Sequence, residues 1–287
     1  MRICLAIIAL YTIAAVYGEV VYRYYRAVDR TAPYNEVHEE ARYVPPYITS
    51  WLTNDPRTES CPRKYLLGSD NLGRDVASRL VQGTRIAFHV GIITSLIAIP
   101  LGVVLGCLAG YLGGKTDSIV TWLCATVASM PGLLFIMAIA LVAGKGLLGI
   151  YLGIGLTTWV GVCRNIRGEV MKHRRRAYVQ AAETMGYSKT RIMFRHILPN
   201  VSHLVLVAFS VRFPASVSTE VFISFLGIGV HDDPSWGIMI NNARLRLWQG
   251  VWWEMTFVTI AIFTLVLVFN HVADVLRDML DPSLRSE

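Results

Sequence analysis

Gly114-Lys115-Thr116 is the part of this 287-residue chain closest in type to a phosphate-binding loop. Such a loop has another glycine five residues before the Gly-Lys pair, so that its backbone can cradle phosphate. Here that position is Ala109, and the context is the end of an apolar helix, not a strand. The sequence therefore predicts no nucleotide site, and energy for any driven process must come from a partner or an ion gradient.

Other chemically reactive residues do not form a recognisable site. The seven histidines are scattered, and no paired carboxylates or nucleophile elbow are visible. The cysteines lack metal-ligand spacing, and most lie in apolar stretches, as small buried hydrophobes do. They are Cys4, Cys61, Cys107, Cys124 and Cys163. We therefore predict no catalytic residue, no metal, no disulfide and no cofactor bound by this chain.

Two charges, Arg212 and Glu220, interrupt an otherwise apolar stretch. Charges inside a membrane segment are costly and usually face a partner or a water-filled path. Eight residues of helix separate them by about 12 Å, too far for a direct pair. Two interpretations stay open: both line a polar translocation path, or each pairs with another helix during assembly.

Apolar runs dominate the chain, which is 54% hydrophobic and only 16% charged. A bilayer core needs about 20 mostly apolar helical residues. Six candidates are present: Ile3–Gly18, Ile86–Leu112, Ser118–Gly144, Gly146–Cys163, Val201–Val230 and Met255–Asn270. We predict an all-α polytopic transmembrane bundle of about six spans, with Trp252 and Trp253 as an interfacial belt. The first span, residues 1–21, could instead be a signal peptide.

The basic residues indicate which way the chain faces. Residues 164–200 contain nine Lys or Arg and two acids, and this excess matches the +7 net charge of the whole chain. Basic loops stay in the cytoplasm, which we prefer to a nucleic-acid role for Arg174–Arg176. Both termini, including the tail 281–287, are then cytoplasmic. Arg23 and Arg26, just beyond the first span, weakly favour the opposite orientation.

The segment 22–85 is then extracytoplasmic, followed by a permease-like membrane region over 86–280. We expect Asp70 to cap a short helix whose apolar face includes Val76 and Leu80. Asp75 and Arg79 could pair within it. The pattern predicts an amphipathic helix lying on the membrane before the second span.

Small residues and prolines mark the predicted spans. Gly102, Gly106 and Gly110 repeat every fourth position, a ridge that lets helices pack closely in lipid. Each proline within a span frees a backbone carbonyl and predicts a kink. These prolines are Pro100, Pro131 and Pro214.

The basic loop contains a short predicted helix. Gln180–Met185 are good helix formers, and Gly186 can end a helix. Small side chains at Ala181 and Ala182 would let another protein approach closely, and Pro199 breaks the chain just before the fifth span. This predicts a docking knob on the face of the bundle.

This loop resembles the cytoplasmic signature of ATP-binding-cassette importer permeases: Glu-Ala-Ala, a glycine, then Ile-x-Leu-Pro. The resemblance implies ATPase coupling by Gln180, Ala181, Ala182, Glu183, Gly186, Ile197 and Pro199. Gln180 replaces the glutamate of the signature, which removes one negative charge from the docking surface.

Further stretches, collinear over about residues 65–285, are similar to the second permease of dipeptide, oligopeptide and nickel transporters. They are Leu67–Val76, Gly110–Gly114, Arg195–Asn200, Ser224–Gly229, Pro234–Gly237 and Leu276–Pro282. The resemblance implies a type I importer permease with a coupling helix in the bacterial inner membrane. Its implied partners are a homologous second permease, two ATPase subunits that use ATP and Mg, an extracytoplasmic solute-binding protein and membrane lipid, with no nucleic acid.

The resemblance implies a non-catalytic subunit that forms the translocation path. Peptides are the expected cargo, and nickel chelates, glutathione or cell-wall peptides are the alternatives. The rival function is an ion-gradient-driven secondary transporter that uses Arg212, Glu220 and Asp274. In the importer, we expect a bulky residue at Gly186 to abolish transport without preventing membrane insertion.

Overall fold

The computed structural model describes residues 1–49, 65–144, 146–229 and 233–280, with no side-chain description at 280. Cys61 and the tail 281–287 lie outside the described residues. Within these ranges the chain is helical, with one isolated bridge between Ser69 and Asp75. The described histidines, cysteines and acids form no group of three or more that could hold a metal ion.

The helices from α2 to α9 follow one another with short connections, and a long segment separates α1 from α2. They are α1 (Arg2–Val28), α2 (Val76–Leu112), α3 (Gly114–Ala128), α4 (Gly132–Ala143), α5 (Leu147–Arg174), α6 (Ala177–Thr184), α7 (Lys189–Ile192), α8 (Leu198–Val201), α9 (His203–Phe225), α10 (Trp236–Arg244) and α11 (Trp253–Leu280). A π-helical turn, Met193–Ile197, joins α7 to α8, and 3-10 turns occupy Glu39–Ala41, Tyr47–Thr49 and Leu247–Gln249.

Five of these helices, α1, α2, α5, α9 and α11, are long and apolar enough to cross a membrane. The pair α3 and α4 passes the same test together but is bent by 91° between them. Pro131 stands at this break, as the N-cap of α4. The predicted polytopic helical bundle is confirmed, and the third predicted span is two helices rather than one.

Two helix boundaries differ from the sequence expectation. Helix α1 continues to Val28 and ends at Asp29 in a left-handed conformation, φ 52°. Helix α2 begins at Val76 and runs without a break for 37 residues. The predicted separate amphipathic helix was therefore wrong: its residues are the first turns of α2. No proline lies between the two parts, the helix continues through Gly83, and Pro100 lies well inside it.

Contacts divide the chain into two compact units, and α2, α9 and α11 contribute to both. The first unit consists mainly of Met1–Gly91 and Val217–Phe269. Two indole groups fasten parts of this unit together: Trp236 donates to Leu80 O of α2 at 3.1 Å, and Trp253 donates to Ser69 O at 3.0 Å. Trp253 is buried, so the prediction that it belongs to an interfacial belt was wrong.

The second unit consists mainly of Ile92–Gly144 and Leu148–Ser216. Gly102, Gly106 and Gly110 on α2 face α5 so closely that added Cβ atoms would stand 2.7–2.8 Å from atoms of α5. Contacts shorter than 3 Å are not tolerated by real Cβ atoms, so each position requires glycine for this approach. Cys124 and Cys163 are buried nearby, with their sulfur atoms 3.8 Å apart.

Candidate functional site

Helix α6 is the short helix predicted in the basic loop. It ends in a Schellman arrangement: Gly186 N donates to Glu183 O at 3.0 Å, and Tyr187 N donates to Ala182 O at 3.1 Å. Gly186 has φ +80°, a left-handed conformation that glycine adopts without strain. The prediction that Gly186 ends this helix is confirmed.

One edge of α6 is buried in the second unit. Val179 and Ala182 are 0% and 1% exposed and join a hydrophobic cluster that includes Ile192 and Ile197. The interpretation that Ala182 offers a surface to a partner was therefore wrong, because its methyl group packs against the chain's own core. Ala182 is small because α6 lies close to that core.

The opposite edge of α6 is open. Gln180, Ala181 and Glu183 are exposed, Met185 is 65% exposed, and Gly186 has no atom within 4 Å of an added Cβ. An apolar methionine, a methyl group and a bare glycine next to two polar side chains form a surface that one partner element can cover. We call this exposed edge the docking face.

Polar contacts hold α6 to the rest of the second unit. Tyr111, at the end of α2, donates to Glu183 at 3.2 Å. His173 and Tyr178 share a hydrogen bond of 2.7 Å, and partial burial raises the pKa of Tyr178, so its phenol stays protonated. The docking face is therefore fixed from both sides, by the end of α2 and the end of α5.

The return from the docking face to the membrane runs through a π-helical turn. Leu198 N donates to Met193 O, five residues back, and the buried Ile197 lies in this turn. Pro199 is exposed, and its carbonyl accepts from the Ser202 hydroxyl at 2.7 Å. Pro199 therefore stands just before the start of α9, as the sequence predicts. Single π-helical turns are frequent at functional sites.

Arg212 and Glu220 both lie on α9, but their surroundings differ. Glu220 is 1% exposed and accepts a hydrogen bond from Ser224 at 2.6 Å, with Ser235 as a second hydroxyl partner. Arg212 is only half-buried. Among the described residues, no carboxylate lies within ion-pair distance of its guanidinium. The assignment of both residues to a translocation path stays a prediction.

Comparisons with known proteins give the family. Residues 102–286 match the family described as binding-protein-dependent transport system inner membrane component. This chain belongs to that family. The range includes the docking face, the π-turn and both intramembrane charges, so the features described above belong to the family's own region. The membership makes the chain a multi-pass membrane permease component and does not favour the gradient-driven alternative.

Curated relatives cover most of this permease. The glutathione transport system permease protein GsiD of Pectobacterium atrosepticum is 36% identical over 248 residues, 86% of this chain and 82% of the relative. The dipeptide transport system permease protein DppC of Bacillus subtilis is 37% identical over 222 residues, 77% of this chain and 69% of the relative. The oligopeptide transport system permease protein OppC of the same organism is 34% identical over 243 residues, which are 83% of this chain and 78% of the relative.

A solved structure supports the fold. The inward-facing MetNI methionine ABC transporter contains a chain that matches this permease with a TM-score of 0.56 at 16% identity. The match covers 71% of this chain and 96% of that chain. The helical bundle of an ABC importer permease is therefore the fold of this protein.

Sequence reasoning missed the role of Pro234–Gly237, which it used only for the family resemblance. Trp236 is 1% exposed and occupies the space beside Gly83, where an added Cβ would overlap the indole. Ser235 caps α10 by accepting from Ile238 N at 3.3 Å. Since Ser235 also bonds Glu220, this stretch fastens α10 to α9 and α2. A tryptophan next to two small residues was the available signal.

Proposed function

We propose that this permease is one of two homologous permease subunits of an ATP-driven peptide importer. The observation that carries the proposal is the docking face. Helix α6 buries one edge in the core of the second unit and leaves the other uncovered, with a left-handed glycine at its end. This is the shape expected of a rigid element on which a partner ATPase pushes.

The transmission route follows from the contacts of α6. Force applied to the docking face would reach α2 through Tyr111 and Glu183, and α5 through Tyr178 and His173. The glycine-lined contact between α2 and α5 makes these two helices move as one body. Gln180 is exposed and uncharged, so its contact with an ATPase would be a neutral hydrogen bond where the family signature has a carboxylate.

The proposed orientation places the loop 164–200 and both termini in the cytoplasm of a bacterial cell. The positive-inside rule supports this, since nine basic residues lie in that loop. A solute-binding protein then delivers cargo from outside. Two ATPase subunits bind ATP and Mg on the inside, and this chain hydrolyses nothing itself.

Peptides are the proposed cargo class. The named relatives transport glutathione, dipeptides and oligopeptides according to their names, and all of these compounds are short peptides. The binding protein selects among them, so this chain has to accept a peptide backbone rather than one particular side chain. Nickel chelates and cell-wall peptides remain alternatives at the level of the binding protein.

Co-purification of the tagged chain from its native membranes tests the proposal. We expect a second permease and two ATPases, with ATPase activity raised by the binding protein loaded with peptide. Ala181→Trp, on the docking face, should lose the ATPases and keep the second permease. Ile3→Trp, on a side chain that is 76% exposed on α1, is the matched control and should keep all partners. A lone chain that takes up solute on an ion gradient would overturn the proposal.

A further inference from the structure

Arg212 lies deep within α9, far from either end of the helix. It is the tenth of 23 residues in His203–Phe225, so about 14 Å of helical rise separate it from the start and about 20 Å from the end. Long basic side chains near helix ends can extend to the membrane surface, but a residue at this depth cannot. The guanidinium therefore stays at the depth of the span and needs a partner there.

Two buried arginines of α2 have such partners. Arg85 is 2% exposed and pairs with Asp233 at 2.8 Å, and Arg79 is 3% exposed and lies 3.6 Å from Asp70. Arg212 has no such acid and no hydrogen-bond acceptor among the residues that the structure describes. Arg212 therefore differs from these two arginines, whose charges are paired within the described part of the chain.

The end of the Arg212 side chain lies against Gly161 of α5. A Cβ added at Gly161 on α5 would overlap Nη2 of Arg212 and lie 3.7 Å from its Cζ. Glycine at this position therefore makes room for the charged group. Only the end of the Arg212 side chain lies near Gly161. The planar guanidinium therefore faces α5 instead of the apolar core.

Helix α5 presents a polar strip on this side. Thr157, Gly161 and Arg164 follow one another at helical spacing, and none of them is buried within this chain. The opposite side of α5 contains Val162 and Ile166, which are buried in the core of the second unit. The strip and Arg212 therefore form a polar face that this chain leaves open.

We propose that Arg212 is a binding site for the α-carboxylate of the peptide while it crosses the permease. The inference rests on the proposed function and names the chemical group that the path recognises. A guanidinium presents two parallel N–H donors that match a carboxylate. Glutathione, dipeptides and oligopeptides all have a free α-carboxylate, so one such site serves cargo with any side chains.

The test is uptake by the complete complex in proteoliposomes, with its binding protein saturated by trialanine or by trialanine amide. Arg212→Gln removes the charge and should lower the maximal uptake rate of trialanine at least tenfold, because a charged hydrogen bond is lost. The KM should not change, since the binding protein sets it. Arg212→Lys keeps the charge but loses the paired donors, and should give a rate between those of the wild type and Arg212→Gln. Uptake of the amide should be slow in all three proteins.

A pair of glycine variants separates charge from packing. Gly161→Ala shifts the guanidinium but keeps its charge, and should reduce trialanine uptake less than Arg212→Gln does. Gly168→Ala, on the same helix with no atom within 4 Å of the added Cβ, should leave uptake unchanged. Each variant is also checked for co-purification of the second permease.

Three results would overturn the inference. One is normal trialanine uptake by Arg212→Gln. Another is an equal fractional loss for trialanine and its amide, and the third is loss of the second permease, which would make Arg212 an assembly residue. If the wild-type complex shows no ATP-dependent uptake at all, the proposed function has failed instead.

Discussion

The stretch Leu67–Val76 and the helix α6 both resemble family sequence, but the structure uses them in opposite ways. In the first, side chains turn inward: Asp70 is 1% exposed and accepts from the backbone of Leu72 and Arg74 and from the Arg74 side chain. In α6, only the side chains of Val179 and Ala182 are buried, and the other side chains are exposed, although Tyr178 and Glu183 each make one hydrogen bond to a neighbouring helix.

This difference shows that a recognisable stretch can have either of two physical roles. A stretch whose polar atoms are hydrogen-bonded within the chain stabilises the fold. Substitutions in such a stretch should lower the free energy of unfolding. A stretch whose polar atoms and apolar side chains are exposed is available to a partner protein. Substitutions in such a stretch should lower the coupling of ATP hydrolysis to transport without lowering stability. Each of the following changes tests one side of this distinction.

The largest effect is expected at Trp236. Trp236→Ala removes a buried indole and its hydrogen bond to Leu80, and should lower the free energy of unfolding by about 3–5 kcal/mol. Denaturant unfolding of the detergent-solubilised chain measures this. Trp248→Ala is the matched control, because that indole is 95% exposed and its loss should leave stability unchanged. Equal effects of the two changes would contradict the assignment.

Asp70 should give the next largest effect. Asp70→Asn keeps the shape but removes the charge beside Arg74 and Arg79, and should cost about 2–3 kcal/mol of unfolding free energy. Glu39→Gln removes an acid that is 79% exposed and pairs with Arg42, and should change stability by less than about 0.5 kcal/mol. A stable Asp70→Asn protein would show that the network is not part of the fold's support.

The sequence predicts the membrane helices well, since hydropathy and length depend on composition alone. It fails where the partner of a residue lies outside its own helix. Arg79 was expected to pair with Asp75, four residues earlier. Instead Asp75 caps α2 by accepting from Ser78 N at 3.0 Å, and Arg79 faces Asp70. Helical spacing allows the pair of Asp75 and Arg79, whereas the pair of Asp70 and Arg79 depends on how the chain before α2 folds.

Helix α6 shows the same limit of prediction from the sequence. Its position and its end at Gly186 follow from helix propensity and glycine alone. The inward turn of Ala182 does not, because it depends on a cluster assembled from α2, α5 and the π-turn. The contrast between Arg212 and Glu220 was also hidden, since Ser235 reaches Glu220 from another segment.

A substitution at Gly186 tests the role of the exposed docking face. Gly186→Val forces a branched residue into a left-handed conformation at a local cost of about 1–2 kcal/mol. That cost should lower the docking-competent population, and hence ATP-driven uptake, by about 5–30-fold. Gly250→Val is the matched control, since Gly250 also has φ +80° and open space around it. Uptake by the control should be normal, and a normal rate in Gly186→Val would remove the docking face from the mechanism.

The smallest effect is expected at Tyr111. Tyr111→Phe keeps the buried ring and removes the hydrogen bond to Glu183, worth about 1 kcal/mol. If this bond transmits motion from α6 to α2, ATPase activity should persist while less peptide is moved per ATP hydrolysed. The ratio of the two rates in proteoliposomes measures this, with Tyr24→Phe, at an exposed tyrosine, as control. An unchanged ratio would mean that packing of Val179 and Ala182 alone couples α6 to the bundle.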